Sequence, residues 1–264
     1  MTIVFPVIIM SAIGLIAGIC LAAAVKFFGT EKDPKYEAVK ELLPGANCGA
    51  CGHPGCASLA AAIACGDAPV NACPISDNST IEKIAALLNK QAEENIKKVA
   101  VILCSGGKNA SNRYKYNGIN DCYSMSLLLG GVKNCIYGCL GGGSCTKVCS
   151  FNAIKMGENG LPVVSQELCT GCGLCVEECP KNIIKLKKVG DYAVVRCSSF
   201  DKGIDTKKFC SAGCIGCGLC QKVCSTKAVS LNNHLATIDD SICTFNGDCI
   251  KKCPVSVISV LKKG

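Results

Sequence analysis

From Cys169 to Pro180 the chain reads CTGCGLCVEECP, four thiols separated by two, two and three residues and closed by proline. Thiolates so spaced can grip one small inorganic core, and C-x2-C-x2-C-x3-C-P is an iron–sulfur run, not a zinc spacing. A second stretch, CTFNGDCIKKCP from Cys243 to Pro254, keeps the flanks and the Cys-Pro end but carries Asn246 where the first carries Cys172. The chemistry on offer is the one-electron chemistry of clusters. No general acid, base or nucleophile is required, and no catalytic residue is assigned.

The thiol count sharpens that reading. There are 25 cysteines in 264 residues, 24 of them after residue 30. Disulfide scaffolds of small secreted domains show no fixed C-x2-C repeat. Zinc sites of the ribbon type often recruit histidine, and only His53 and His234 exist here. Cluster thiolates must stay unoxidised, which implies a reducing compartment. The formal charge of +8 counts every thiol as neutral. Six four-iron sites at a formal −2 each would bring it to about −4. Without Trp, with few aromatics and without a basic run, no nucleic-acid partner is expected.

The elements that position these thiols begin with an anchor. Thr2 to Val25 gives 24 residues without a charge, enough to cross a hydrocarbon core of about 30 Å. No basic segment precedes the run and no clean cleavage site follows it, so a membrane span is expected rather than an export signal. Cys20 is expected to be a small apolar residue of that span. Lys26, Lys32 and Lys35 follow it, which places the remainder on the cytoplasmic side of the cell (inner) membrane in a single-pass arrangement.

A polar linker, KDPKYEAVKELLPGAN, has a short helical pattern ending at Pro44-Gly45. Cys48, Cys51, Cys56 and Cys73 follow with spacing C-x2-C-x4-C-x16-C, and a helix over 57–64 separates the third from the fourth. Cys65 is expected to pack on that helix, and His53 to stand beside the cluster without binding it. Ser79 or Thr80 can cap a helix that continues through IEKIAALLNKQAEENIKK, after which KKVAVILC reads as a strand. Gly106-Gly107 lacks a phosphate-loop pattern.

Beyond Cys135 the chain repeats. Cys149, Cys179, Cys224 and Cys253 each close a cluster run and precede a short helical turn and an apolar strand, at intervals of 30, 45 and 29 residues. The copies pair as two modules of two. The expected architecture is α+β: a single N-terminal transmembrane helix, a small helical Fe–S domain, and tandem two-cluster ferredoxin-like domains. The corresponding boundaries are 1–29 for the anchor, 30–98 for the first cluster domain with its linker and helix, and 99–134 for a connecting segment with Cys104 and Cys122. The two ferredoxin-like domains are 135–196 and 197–264.

In such modules the fourth thiol of one run serves the other run's cluster. That rule groups Cys135, Cys139 and Cys145 with Cys179, and Cys169, Cys172 and Cys175 with Cys149. It groups Cys214, Cys217 and Cys220 with Cys253, and leaves Cys224, Cys243 and Cys249 around Asn246. The last set predicts a 3Fe–4S cluster, or a 4Fe–4S cluster with water, Asp248 or another oxygen on the open iron. Cys104, Cys122, Cys197 and Cys210 remain. They flank the first module and form a candidate sixth cluster, or are unrelated thiols. Five to six clusters are expected in all.

The apolar span, then GANCGACGHPGCASLAAAI with Cys73-Pro74, then tandem ferredoxin runs, together resemble the B subunit of the Rnf complex over nearly the whole chain. The segment with Cys104 and Cys122 and the second module resemble the clostridial-type members. Asn246 departs from the family's four-cysteine run. The resemblance implies an electron-transfer subunit of a membrane-bound ferredoxin:NAD+ oxidoreductase that pumps Na+ or H+, with soluble ferredoxin as donor and other membrane and peripheral subunits as partners. A membrane-tethered polyferredoxin serving another reductase or a hydrogenase is the alternative. The first motif also occurs in corrinoid iron–sulfur proteins, but there is no room here for a cobalamin-binding barrel. A zinc-binding interaction protein is the third class.

Overall fold

The computed structural model describes residues 4–28, 34–92 and 94–261. Helix α1, Val4–Phe28, runs 25 residues, about 37 Å of rise. None of its stretch Val7–Ala24 is buried by the rest of the protein. Ser11 returns its hydroxyl to the Val7 carbonyl at 2.8 Å, so its polar group is satisfied within the helix.

Three helices build a first core. They are α2 (Pro34–Leu42), α3 (Cys56–Cys65) and α4 (Asn78–Leu88). Val39, Leu59, Ile63, Ile81 and Ile84 from these helices are each no more than 1% exposed. The cap of α4 is Asp77, whose Oδ1 accepts the Thr80 N–H at 3.1 Å, rather than Ser79 or Thr80. Ser79 donates its hydroxyl to the same carboxylate. The helix also stops at Leu88 instead of running on to Lys98. Asn89 turns left-handed at φ 52 and closes the last turn on Ala85 and Ala86, because the polar QAEENIKK that follows has no apolar face to bury.

The remainder pairs into four antiparallel two-stranded ladders. β1 (Lys98–Ile102) pairs with β4 (Ile184–Lys188), in register Lys98↔Lys188 to Ile102↔Ile184. β2 (Ile154–Met156) pairs with β3 (Pro162–Val164), and β6 (Val229–Asn232) with β7 (Leu235–Ile238). β5 (Tyr192–Val195) pairs with β8 (Ile258–Leu261). The strands after Cys179 and Cys253 have no later partner in their own run, so each takes one from upstream. Thus β1, which spans the expected 98/99 boundary, joins the first half from upstream, and β5 joins the second half although it lies before residue 197.

β5 is buried on both faces. Alternation sends Tyr192 and Val194 into the core that holds Val99, Ile102, Ile154 and Ile184, and sends Ala193 and Val195 into the core that holds Val229, Val257 and Ile258. The β5–β8 ladder is therefore a wall shared by both halves.

Short helices complete each half: α5 (Cys122–Leu127), α6 (Ser144–Lys147), α7 (Leu174–Glu177), α8 (Gly203–Phe209), α9 (Leu219–Lys222) and α10 (Asp248–Lys251). α6 packs on α7, and α9 on α10. The helical turns precede the closing thiols of the repeat; they do not follow them. After each closing thiol comes a single left-handed residue, Asn152, Asn182, Lys227 or Ser256, three positions on. Its N–H returns to the carbonyl of Cys149, Cys179, Cys224 or Cys253 and turns the chain into the strand.

Candidate iron–sulfur sites

In each half a short helix carries one thiol in its first turn and has the repeat's closing thiol four residues later. Cys145 and Cys149 are so related, as are Cys175 and Cys179, Cys220 and Cys224, and Cys249 and Cys253. Four residues along a helical path keep both thiols on one side but a turn apart, so one helix can serve two sites.

The first cavity is lined by Cys149, Cys169, Cys172 and Cys175, the set expected from the run. The Ala100 N–H donates to Cys169 Sγ at 3.4 Å. Thr170 Oγ1, also on this lining, is buried without a hydrogen-bond partner. Burial pushes the Cys175 thiol up to about 12, with Cys169, Cys172, Cys145 and Cys149 adding to the effect.

The second cavity differs from expectation. Its thiols are Cys122, Cys139, Cys145 and Cys179, so Cys122 stands where Cys135 was expected. The sequence signal was the stretched spacing in CIYGCLGGGSC: three residues rather than two separate Cys135 from Cys139. Cys122 is delivered by the N-terminus of α5. Its N–H donates to Ser144 Oγ at 2.8 Å, and that hydroxyl donates to Asp121 Oδ1 at 2.8 Å. Asp121 also caps α5 by accepting the Ser124 N–H, and these hydrogen bonds hold its carboxyl at about 2. Burial lifts the Cys139 thiol to about 12 and the Cys145 thiol to about 11.

Cys135 instead lines a third cavity with Cys104, Cys197 and Cys210. Cys139 sits on the wall between the second and third cavities, its N–H donating to Cys104 Sγ at 3.5 Å. The Gly106 N–H donates to the same sulfur at 3.4 Å, and a Cβ at Gly106 would lie 3.5 Å from the sulfurs of both Cys104 and Cys210. Arg196 also lines this cavity, and its Nε is buried without a hydrogen-bond partner. Sequence reasoning missed Gly106, Ser144 and Arg196, none of which belongs to a cysteine spacing.

The fourth cavity holds Cys214, Cys217, Cys220 and Cys253, as expected. Burial raises the Cys220 thiol to about 11. Nearby, Cys243 and Cys224 both act on Cys249, which burial also pushes up. Burial acts upward on Cys224 as well. The Thr226 hydroxyl and the backbone N–H groups of Val229, Ala228 and Thr226 outweigh it and hold that thiol below its usual value. Asn246 turns its amide toward surface neighbours, donating to Ser225 Oγ at 3.2 Å and Asp248 Oδ2 at 3.0 Å.

In the N-terminal part, Cys73 is buried in the core of α2, α3 and α4, with Cys51 and Cys56 packed against that core and Cys48 half-buried. The Cys56 N–H donates to Asn47 Oδ1 at 2.8 Å. Cys65 is exposed rather than packed, because it lies at the C-terminal end of α3 on the face away from Leu59 and Ile63. Cys20 is exposed on α1.

These surroundings fit anionic clusters. N–H groups aimed at sulfur, and the guanidinium of Arg196 with its buried, unpartnered Nε, both favour negative charge inside the cavities. Among the described residues no three His, Cys, Asp or Glu side chains converge as a single metal ion would require. The thiols stand around cavities instead, as a polynuclear core demands.

Comparison with known proteins agrees with the site. An Fe–S cluster family model matches residues 43–75, a 4Fe–4S binding domain residues 162–185, and a 4Fe–4S dicluster domain residues 213–257. The chain is 45% identical over 258 residues to the B subunit of the Na+-translocating ferredoxin:NAD+ oxidoreductase complex of Acetobacterium woodii, covering 97% of this chain and 78% of that one. It is 39% identical over 253 residues to the B subunit of the ion-translocating oxidoreductase complex of Methanosarcina acetivorans, with 96% of each covered. Its identity to the B subunit of the proton-translocating ferredoxin:NAD+ oxidoreductase complex of Clostridium ljungdahlii is 40% over 267 residues, 100% of this chain and 94% of that one. Full-length likeness at this level, on a chain whose thiols gather into cluster-sized cavities, places it in the family of B subunits of the Rnf ion-translocating oxidoreductase complexes.

Proposed function

We propose that this chain is the iron–sulfur electron-transfer subunit of a membrane-bound, ion-translocating ferredoxin:NAD+ oxidoreductase, accepting electrons from reduced soluble ferredoxin and relaying them toward other subunits of the complex. The observation that carries the reading is the succession of thiol-lined cavities through the protein's cores. Clusters bound there supply one-electron transfer. The chain's own residues do the rest. Cys48, Cys51, Cys56 and Cys73, with the thiols of the first, second and fourth cavities, would hold 4Fe–4S groups in two ferredoxin-like modules set in tandem and in the domain before them. Buried Ile102, Ile154, Ile183, Val229 and Ile258 pack around these cavities and exclude water. N–H groups such as that of Ala100 favour the reduced, more negative state.

Around Asn246 the same logic gives an open corner. Three thiols, Cys224, Cys243 and Cys249, would hold a 3Fe–4S group, or a 4Fe–4S group completed by an oxygen ligand. The exposed apolar stretch Val7–Ala24 of α1 supports a single-pass anchor in the cell (inner) membrane, and Lys26, Lys32 and Lys35 after that stretch support a cytoplasmic position for the clusters.

The test is anaerobic purification from membranes in detergent. The protein should be brown, carry at least about nineteen irons per chain, and bleach on mixing with reduced ferredoxin. Colourless, iron-free, folded protein would remove the proposal.

A further inference from the structure

The four thiols of the third cavity lie outside every stretch that a family model matches, yet the cavity is built like the others. Its four thiols come from four places: Cys104 after β1, Cys135 before the first run of the repeat, Cys197 directly after β5, and Cys210 at the end of α8. Ala110 and Cys210 form an antiparallel bridge, and the Ser111 N–H bonds the Phe209 carbonyl at 2.8 Å, so the segment after Cys104 is stitched to α8.

Two hydrogen bonds set this cavity between its neighbours. On one side the N–H of Cys139, a thiol of the second cavity, reaches Cys104 Sγ at 3.5 Å. On the other the N–H of Cys214, a thiol of the fourth cavity, reaches Cys197 Sγ at 3.3 Å. One backbone amide therefore separates the third cavity from each half of the protein.

The charge in the lining is also specific. Arg196 contributes a buried Nε without a partner. Lys133 lies close enough to Cys210 to favour its thiolate, but its ammonium is already engaged by the Gly107 and Ala110 carbonyls at 2.9 and 3.1 Å. Asp201 acts on Cys135 in the opposite sense. Arg196 is left as the lining's cation with bonding capacity to spare, and an anionic cluster would use it.

We infer that Cys104, Cys135, Cys197 and Cys210 hold a further 4Fe–4S cluster, that Arg196 is its cationic partner, and that this cluster is the electronic junction between the two thiol-bearing halves. The inference rests on the electron-relay reading above. Held by Cys104, Cys135, Cys197 and Cys210, such a cluster would supply one-electron transfer between the halves, with no bond made or broken. Arg196 sets the junction's potential by favouring its reduced state.

The test compares full-length wild type, Cys210→Ser and Arg196→Gln, each purified anaerobically in detergent. Cys210→Ser should lack about four irons and four sulfides per chain relative to wild type. Part of its remaining clusters should still bleach promptly with reduced ferredoxin while the rest lag. Cys65→Ser, which changes an exposed thiol outside every cavity, should keep the wild-type iron count. Equal iron in Cys210→Ser and wild type would overturn the junction while leaving the relay intact; iron-free wild type would overturn the relay itself. If Cys210→Ser fails to accumulate, Arg196→Gln decides. It should keep its iron and shift one cluster's midpoint potential to a more negative value, and Arg196→Lys should return most of the shift. Midpoints identical to wild type across the redox titration would refute the assignment.

Discussion

At Asn246 the repeat is altered by single residues. Where the complete runs place Gly171 and Gly216, this copy has Phe245, held left-handed at φ 46. Where they place Cys172 and Cys217 it has Asn246, and where they place Leu174 and Leu219 it has Asp248. The amide then bonds Ser225 and Asp248, and does not offer a thiolate. Asn246→Cys should raise iron by about one per chain and abolish a 3Fe signal in the paramagnetic resonance spectrum of the oxidised protein. An unchanged signal with unchanged iron would count against the open-corner reading. A second residue-scale expectation concerns protons. Cys139 and Cys175 are raised to about 12 and Cys145 and Cys220 to about 11, from an ordinary 9.0. A raised value means the folded state holds the proton more tightly, so stability is present below 9.0 and lost as pH climbs toward 12. Metal-free protein should unfold in that alkaline window by circular dichroism. Loaded protein should resist, because iron has replaced the protons.

At the scale of elements, glycines in the cluster runs have unequal jobs. Gly171 is left-handed at φ 69, and a Cβ there would meet the Lys98 carbonyl oxygen at 2.4 Å, the point where β1 passes the first cavity. Gly218 is also left-handed, at φ 71, but a Cβ there would meet nothing within 4 Å. Gly218→Ala should therefore cost only the conformational penalty, about 1 kcal/mol. Gly171→Ala adds the overlap, for a total of about 2–4 kcal/mol, and should lower the iron bound in the first cavity. Thermal melts with iron counting check both; equal losses would mean that β1 does not press on this run. β5 makes the complementary point. Its four residues read as an ordinary apolar stretch, and only the packing of its two faces into separate cores reveals that it seals both.

For the whole molecule, α1 contributes nothing to the buried cores among the described residues, since its stretch Val7–Ala24 is unburied. A chain beginning at Pro34 should move from the membrane fraction to the soluble fraction while keeping its iron content and spectrum. Loss of iron on that truncation would mean that the anchor supports the cluster domains. With six clusters bound, a formal +8 on the bare chain would become about −4, so the loaded protein should then migrate as an anion near neutral pH while the metal-free chain migrates as a cation.

The spacing of cysteines, by itself, pointed to the iron–sulfur chemistry and named the same four thiols that line the first cavity and the four that line the fourth. Three thiols of each set lie within consecutive turns of one run, where local geometry leaves little choice, and the fourth, Cys149 or Cys253, follows from the repeat. The apolar run settled the long helix α1 in the same way, since length and lack of charge are one-dimensional properties. What the chain could not disclose was the exchange of Cys122 and Cys135. Those two thiols are brought in by α5 and by the turn at Gly138, and which side of a wall each one faces depends on how separate segments pack. The strand exchange across the β1–β4 and β5–β8 ladders, and the approach of Arg196 to Cys104, were decided in the same way: by contacts between residues tens of positions apart, which only the closed fold brings within reach.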